Sequence, residues 1–438
     1  MARPRFTSLR GMHDVLPPDA ARWKRLVDAF GTHFGRAGFA PIRTPILESL
    51  TVFARVGEGT DVVTKEMYDF LDRDGERIAL RPESTAGVAR AFVQHRPITP
   101  FKVWYASEHF RHERPQAGRY RQHHQLGVEC FGVPDADLDV EVIVGLWDFY
   151  RSLGLESIRL ELNTIGDAAA RTRFGRRLAT FLRGRVGDLD PEDAAKVDHH
   201  PLRVLDSKRR ATVAALEGAP SLIDELDDTA LAHFDAVRAG VRAAGVVGTV
   251  NPRLVRGLDY YTHTVFEIVS DAIDAAQATI GGGGRYDGLV EALGGPPTPA
   301  FGFGSGIERV LLACDGEAVW GEPASAVDAF VVSTGGEPEE RRDLSLALRR
   351  AGLGADHAFG ELSMKAQMKH ADRSGARFAV IVGPDERDAG EVTVRDLRGD
   401  GAQRRVAADD LADHLAGERR GSRIAAGRPP AGGRSDTP

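Results

Sequence analysis

Cysteine is scarce in this chain, since only Cys130 and Cys314 occur among its 438 residues. Two thiols are too few for a disulfide framework or for a zinc site built from thiolates, so the sequence fits a reducing compartment. The stretch Met1–Asp14 has no apolar run that would predict a secretory signal, and no segment approaches the length of a membrane span. We therefore expect a cytoplasmic protein without a membrane partner.

An excess of positive charge is also missing, because 57 Lys and Arg face 64 Asp and Glu, for a formal net charge of −7. A protein that binds nucleic acid through its bulk charge would be basic, so any contact with RNA must come from local patches. The proportions of apolar and charged residues are those of a globular protein, and the chain is too long for one ordinary core. Two to three domains are expected.

Strand and helix patterns divide the chain. Apolar residues on both sides of Asp74-Gly75 predict a β-hairpin. Residues 101–132 read as two strands around an arginine-rich loop, 137–152 as an apolar helix, and 281–284 as a glycine-rich turn. Alternating strands and helices after a loop at 316–327 predict a small α/β domain. The expected domains are a catalytic core in two parts (1–165 and 246–322), a helical insertion (166–245), an α/β domain (323–416) and a disordered tail (417–438).

The segment 110–129 carries the strongest chemical pattern. Its loop is rich in arginine, whose planar fork donates two hydrogen bonds to a phosphate and keeps its charge. On the strand that follows, Gln125, Gly127 and Glu129 share one face because side chains alternate along a strand. Polar residues at both ends with glycine between them leave a floor for a small molecule. The alternative is a solvated, charged hairpin.

Phe110–Glu113 with its loop resembles motif 2 of the class II aminoacyl-tRNA synthetases. The longer stretch, with Gly-Arg-Tyr-Arg-Gln and His-Gln-Leu-Gly-x-Glu, is similar to the enzymes specific for histidine. Further matches follow in the family's order from about residue 10 to 415, so the sequence is identified as a member of the histidyl-tRNA synthetase family. They are Arg43–Pro45 (motif 1), Arg81–Thr85 (the loop around the substrate amine), Leu254–Tyr261 and Gly283–Leu289 (two histidine signatures), and Gly302–Arg309 (motif 3).

The resemblance implies a fold and an activity. The fold would be an α+β catalytic core with a mixed antiparallel sheet of the class II synthetase type, a helical insertion and a small α/β C-terminal domain that binds the anticodon. The activity would be ATP-dependent attachment of L-histidine to histidine tRNA through histidyl-adenylate. Magnesium would accompany ATP, and motif 1 implies a homodimer.

The resemblance also assigns the histidine pocket. Glu83, Thr85 and Gln125 would hold the ammonium group and orient the carboxylate, and Glu129 and Tyr261 would take the two ring nitrogens. Tyr260 and Tyr286 complete the candidate pocket. Two local questions stay open. Glu83 could instead cap the following helix, although we expect Ser84 to do so. Tyr260 and Tyr261 should face opposite sides of a strand, with Tyr260 the one in the core.

For ATP, the resemblance makes Arg111 and Arg256 the catalytic cations beside the α-phosphate, with Glu113 near the adenine. Arg119 and Arg309 would bind the outer phosphates or the ribose. Arg114 and Gln116 would contact the acceptor end of the tRNA. Lys365 and Lys369, one turn apart on a predicted helix, would contact its far end, although a charged helix face is more often merely solvated.

Two other patterns are rejected as sites. Gly281–Gly284 has no phosphate-loop continuation, and we expect a flexible turn that closes over the amino acid. The histidines between 109 and 124 lack a thiolate cluster, so no resident metal is predicted. The alternative function is a non-catalytic synthetase paralogue that regulates histidine biosynthesis. Such relatives lose catalytic arginines and the C-terminal domain, whereas this chain keeps Arg111, Arg256, Arg309 and that domain.

Overall fold

The computed structural model describes residues 6–57, 62–205, 207, 209–255, 260–273 and 278–426. The chain divides into two compact units, Met1–Glu322 and Pro323–Pro438. Among the described residues, no helix is both long enough and apolar enough to span a membrane.

The first unit contains eleven of the strands that the structure describes. They are β1 (Ala40–Pro41), β2 (Leu47–Ser49), β3 (Asp69–Leu71), β4 (Arg77–Leu80), β5 (Phe101–Phe110), β6 (Gln122–Phe131), β7 (Ile158–Thr164), β8 (Gly248–Val250), β9 (Thr262–Ser270), β10 (Thr279–Arg285) and β11 (Ala300–Gly306). Eight of them form one sheet in the order β1-β5-β6-β11-β10-β9-β7-β8. Pairing is parallel at the two edges, β1 with β5 and β7 with β8, and antiparallel between.

Helices cover this sheet and build the insertion. The helices of the first unit are α1 (Asp19–Arg36), α2 (Leu50–Gly57), α3 (Thr85–His95), α4 (Ala136–Ser152), α5 (Ala168–Arg183), α6 (Pro191–Ala194), α7 (Pro201–Leu205), α8 (Arg210–Ala215), α9 (Asp228–Ala243), α10 (Leu289–Ala292) and α11 (Ile307–Gly316). Leu126, Val128 and Cys130 of β6 pack into one core with α1 and α4. The alternate residues of β6 therefore lie on the opposite face, as the period of two predicts.

Of two local predictions, one needs correction here. The glycines 281–284 do not form a turn, because all four lie inside β10, paired with β11 on one side and β9 on the other. The predicted hairpin around Asp74-Gly75 is confirmed, since β3 and β4 pair antiparallel across it.

The second unit is a five-stranded sheet with helices. Its elements are β12 (Ala329–Ser333), α12 (Pro338–Arg350), β13 (Ala355–His357), α13 (Met364–Arg373), β14 (Phe378–Val382), α14 (Pro384–Ala389), β15 (Glu391–Asp396), β16 (Gln403–Ala407) and α15 (Leu411–Ala426). The strand order is β13-β12-β14-β15-β16. The prediction of a disordered tail from residue 417 is wrong as far as Ala426, because α15 continues to that residue. Residues 427–438 lie outside the described part of the chain.

Candidate active site

Glycines that face one another on β6, β11 and β10 form the floor of the site. Gly127 on β6 lies opposite Gly304 on β11, which lies opposite Gly282 on β10. Two residues away along each strand, Glu129 lies opposite Gly302. A Cβ atom added to Gly302 would overlap the Glu129 carboxylate and the Val128 carbonyl, so only glycine leaves room for Glu129 to lie across the sheet.

Hydroxyl groups surround the carboxylate of Glu129. Thr85 Oγ1 donates to Oε1 at 2.6 Å, the Tyr105 hydroxyl lies 3.4 Å from the same oxygen, and the Tyr286 hydroxyl donates to Oε2. Glu129 has no exposed surface, and this burial raises its pKa to about 8, although the Thr85 and Tyr286 hydroxyls act in the opposite direction. Glu129 is thus a buried acceptor whose ionised form would be favoured by a bound cation or N–H donor.

The loop before α3 arranges Glu83 and Thr85. The Glu83 carboxylate accepts the backbone N–H groups of Thr85 at 2.5 Å and Ala86 at 2.8 Å, which caps the helix. Burial raises the pKa of Glu83, and these two N–H donors partly offset that effect. The expectation that Ser84 caps α3 is wrong, because Ser84 Oγ instead bonds the Nε2 atom of buried His109 at 2.7 Å.

The three tyrosines form one cluster. The Tyr260 ring lies 4.7 Å from that of Tyr261 and 5.7 Å from that of Tyr286, and Tyr261 lies 6.4 Å from Tyr286. The prediction that Tyr260 and Tyr261 face opposite sides of a strand is wrong, because both precede β9, which begins at Thr262, and their rings are in contact. Tyr261 is also the more buried of the two.

Three guanidinium groups gather beyond the end of the same hairpin. Arg111 Nε donates to the Pro82 carbonyl at 2.9 Å, and Arg119 pairs with the buried carboxylate of Glu113. Arg309 on α11 donates to the carbonyls of Gly118 and Thr279, both at 3.0 Å. Burial, and then the charges of Arg119 and Arg111, lower the pKa of Arg309. Cations that repel one another in this way are stabilised by a bound polyanion such as a triphosphate.

The loop between β5 and β6 contacts this cluster through Gly118, whose carbonyl accepts from Arg309. Its tip is closed by paired backbone hydrogen bonds between Gln116 and Arg119, around Gly118 at φ 68°. The side chains of Arg114 and Gln116 are exposed.

The structure places three further predicted residues, and a fourth lies outside the described residues. Gln125 is half-buried on β6, with its amide 3.1 Å from where a Cβ of Gly304 would stand. Lys365 and Lys369 are exposed on α13 of the second unit. Arg256, with its neighbours 257–259, lies outside the described residues.

Tyr105 is a site residue that the sequence did not reveal. It lies directly opposite Gly127 in the β5–β6 register, and its ring covers the space that a side chain at Gly127 would need. The signal was available in the hairpin pattern: once Gly127 is placed on the site face, its cross-strand partner belongs to that face as well.

The comparisons with known proteins decide the family. The family model described as "Histidyl-tRNA synthetase" matches residues 11–310. The chain belongs to the histidyl-tRNA synthetase family. A second model, "Anticodon binding domain", matches residues 328–418, which fall within the second unit.

The similarity to known proteins extends over nearly the whole chain. It is 46% identical over 422 residues to a histidine–tRNA ligase of Parasynechococcus marenigrum, covering 92% of this chain and 97% of the relative. It is also 46% identical to a histidine–tRNA ligase of Rubrobacter xylanophilus, covering 91% and 96%. Apo histidyl-tRNA synthetase of S. aureus has 32% identity and a TM-score of 0.78, covering 94% of this chain and 99% of that one. The predicted synthetase fold and family are thereby confirmed.

Proposed function

We propose that this chain is a class II histidine–tRNA ligase that forms histidyl-adenylate from histidine and ATP and then transfers histidine to the tRNA. The observation that carries the proposal is the buried Glu129, surrounded by hydroxyls on a glycine floor, on the same hairpin that ends in the arginine cluster. An acceptor for an imidazole and a set of cations for phosphates are the two halves of this reaction.

The histidine half uses the pocket around Glu129. The carboxylate accepts a ring N–H, Tyr261 takes the other ring nitrogen, and Tyr260 and Tyr286 line the walls. Glu83, Thr85 and Gln125 hold the ammonium group and orient the substrate carboxylate. A pocket that hydrogen-bonds both ring nitrogens discriminates strongly against amino acids that lack them, because its buried polar groups would be left unpaired.

The ATP half uses the guanidinium cluster. The substrate carboxylate attacks the α-phosphorus and pyrophosphate leaves, so negative charge accumulates on the α-phosphate oxygens in the transition state. Arg111 and Arg256 stabilise that charge, Glu113 orients the adenine end, and Arg119 and Arg309 hold the outer phosphates or ribose. Arg111 is supported by its anchor on the Pro82 carbonyl, next to Glu83.

Magnesium would enter with ATP. Among the described residues no group of three or more His, Cys, Asp and Glu side chains forms a metal-binding cluster.

The tRNA would engage both units. Arg114 and Gln116 on the exposed loop tip would meet the acceptor end, and Lys365 and Lys369 would meet the anticodon end. The enzyme would act as a homodimer in the cytoplasm. The regulatory alternative is disfavoured, because relatives at 46% identity over almost the full length are named as ligases and the C-terminal domain is present.

One assay tests the proposal. The purified protein is incubated with ATP and labelled pyrophosphate in the presence of each standard amino acid in turn. We expect label to enter ATP only with histidine. Exchange with a different amino acid, or with none, would overturn the assignment.

A further inference from the structure

Arg285 lies next to the pocket residue Tyr286 but carries a separate set of contacts. It is 1% exposed and is among the largest fully buried side chains of the described structure. Its Nε and Nη2 atoms contact the two carboxylate oxygens of Asp139 on α4, at 3.1 and 2.7 Å. Its Nη1 and Nη2 atoms also donate to the carbonyls of Val133 and Asp135, at 3.1 and 2.7 Å. A buried charge with this many partners is held in one position.

The chain is also fixed on the other side of Tyr286. Asp287 accepts the backbone N–H of Ala300 at 2.9 Å, and its own N–H lies 3.3 Å from Thr262 Oγ1. Tyr286 itself donates its backbone N–H to the Ala300 carbonyl at 2.9 Å. Tyr286 is therefore a short segment between two anchors, with its hydroxyl aimed at Glu129.

Asp139 is the centre of the first anchor. It has no exposed surface, and besides Arg285 it bonds the Nε2 atom of His233 on α9, at 3.0 Å. The carboxylate thus joins β10, α4 and an insertion helix. Removal of its charge would take away the closer counter-ion of the buried Arg285 guanidinium and leave only Asp287, whose Oδ1 lies 3.6 Å from Nη1, so Arg285 would be held less firmly.

We infer that Arg285 is a positioning residue for the histidine pocket, which it serves by holding Tyr286 against Glu129 through its buried pair with Asp139. The inference rests on the proposed function, because the pocket it positions is the one assigned to histidine. Arg285 touches neither substrate; its effect is on where the Tyr286 hydroxyl stands.

The experiment uses Arg285→Lys and Asp139→Asn in the full chain. Lysine keeps a positive charge but cannot reach two carboxylate oxygens and two carbonyls at once, and asparagine keeps the shape of aspartate without its charge. Misplacement of a pocket group by about 1 Å can lower the rate of an enzyme by up to roughly a hundredfold. We therefore expect the KM for histidine to rise about tenfold or more in both variants. The KM for ATP should stay within about twofold of that of the unaltered protein, because neither substitution changes the arginine cluster.

Asp193→Asn is the matched control. Asp193 is equally buried and pairs with Lys196 at 3.1 Å and Arg209 at 2.9 Å, with every one of these residues inside the insertion. It should lower the thermal midpoint without a selective rise in the KM for histidine. An equal rise in that KM in the control would show that loss of any buried pair is sufficient, and would overturn the inference.

A double-mutant cycle with Tyr286→Phe separates positioning from general destabilisation. If Arg285 acts through the Tyr286 hydroxyl, Arg285→Lys should add little to the KM for histidine once that hydroxyl is gone. Full additivity, or an unchanged KM in both Arg285→Lys and Asp139→Asn, would contradict it. Lack of histidine-dependent exchange in the unaltered protein would instead refute the proposed function, so the two failures are distinguishable.

Discussion

Glu129 shows how a single residue can be placed for function at a cost to stability. Its carboxyl has a pKa of about 8 in the folded protein against an ordinary value of 4.5. The folded protein therefore binds this proton more tightly than the unfolded chain does. Stability from this group is fully present below about pH 4.5 and is lost as the pH rises to about 8.

Glu129→Gln should consequently stabilise the ligand-free protein at pH 8 and above, because the amide has no charge to bury. The gain should vanish near pH 4, where the carboxyl of the unaltered protein is protonated. The same change should raise the KM for histidine and leave that for ATP nearly unchanged, because an amide accepts a ring N–H more weakly than a carboxylate does. Thermal denaturation over a pH series and exchange kinetics measure the two effects. A stability difference independent of pH would contradict the titration argument.

Residue-scale predictions failed where a distant partner decided the outcome. The sequence shows Ser84 just before a helix, which favours a cap, but not that His109 of a neighbouring strand would take its hydroxyl. Burial, followed by the charge of His123, holds the pKa of His109 well below its usual value, so the ring is neutral and suited to that bond. Glu83 was available as the cap because its carboxylate reaches two consecutive N–H groups.

At the scale of elements, β10 is the clearest departure from expectation. Four consecutive glycines favour a turn by propensity, yet here they form a central strand. The reason is close approach: a Cβ at Gly283 would overlap the backbone of β11, and one at Gly281 would overlap the Tyr150 hydroxyl. Tertiary crowding of this kind has no local signature. The β5–β6 hairpin was predictable, because its alternation is local and one of its faces is apolar.

Gly302→Ala tests the glycine floor. The added methyl would meet the Glu129 carboxylate and the Val128 carbonyl, so we expect a loss of roughly 1–3 kcal/mol of stability, the usual scale of overpacking. The KM for histidine should rise as Glu129 is displaced. Gly288→Ala is the control, since its Cβ would meet nothing within 4 Å and its φ is −86°. Denaturant unfolding and exchange kinetics compare the two variants. Equal changes in stability and in the KM for histidine would show that Gly302 is not needed to make room for Glu129.

The loop between β5 and β6 is held at Gly118 and Arg121 but leaves the side chains of Arg114 and Gln116 exposed. Arg121 donates its backbone N–H to the Gly11 carbonyl at 2.8 Å, and Arg309 holds Gly118. Arg114→Ala should therefore leave exchange intact and reduce aminoacylation by roughly tenfold, the scale of one good contact to a base edge. Arg36→Ala, an exposed arginine at the end of α1, is the control. A parallel fall in both reactions would mean that Arg114 serves ATP and not tRNA.

At the scale of the whole molecule, the proposed activation chemistry is confined to the first unit, whereas the proposed tRNA contacts are divided between both units. Every described residue assigned to histidine or ATP lies in the first unit, and Lys365 and Lys369 lie in the second. Strand and helix alternation begins afresh after residue 322, which made this division readable from the sequence. The order of strands within each sheet was not readable, because neighbours such as β6 and β11 are far apart in the chain.

Removal of the second unit should separate the two steps of the reaction. A chain that ends at Glu322 keeps the core around β5, β6, β10 and β11, so histidine-dependent exchange should persist. Charging should show a higher KM for tRNA and a weaker dependence on salt, because phosphate contacts release counterions and those of α13 would be gone. Lys365→Ala with Lys369→Ala in the full chain should reproduce part of that loss without shortening the protein. Light scattering on each variant controls for a change of assembly state. A shortened protein of unaltered assembly state that charges tRNA with an unchanged KM would show that the second unit does not bind the tRNA as proposed.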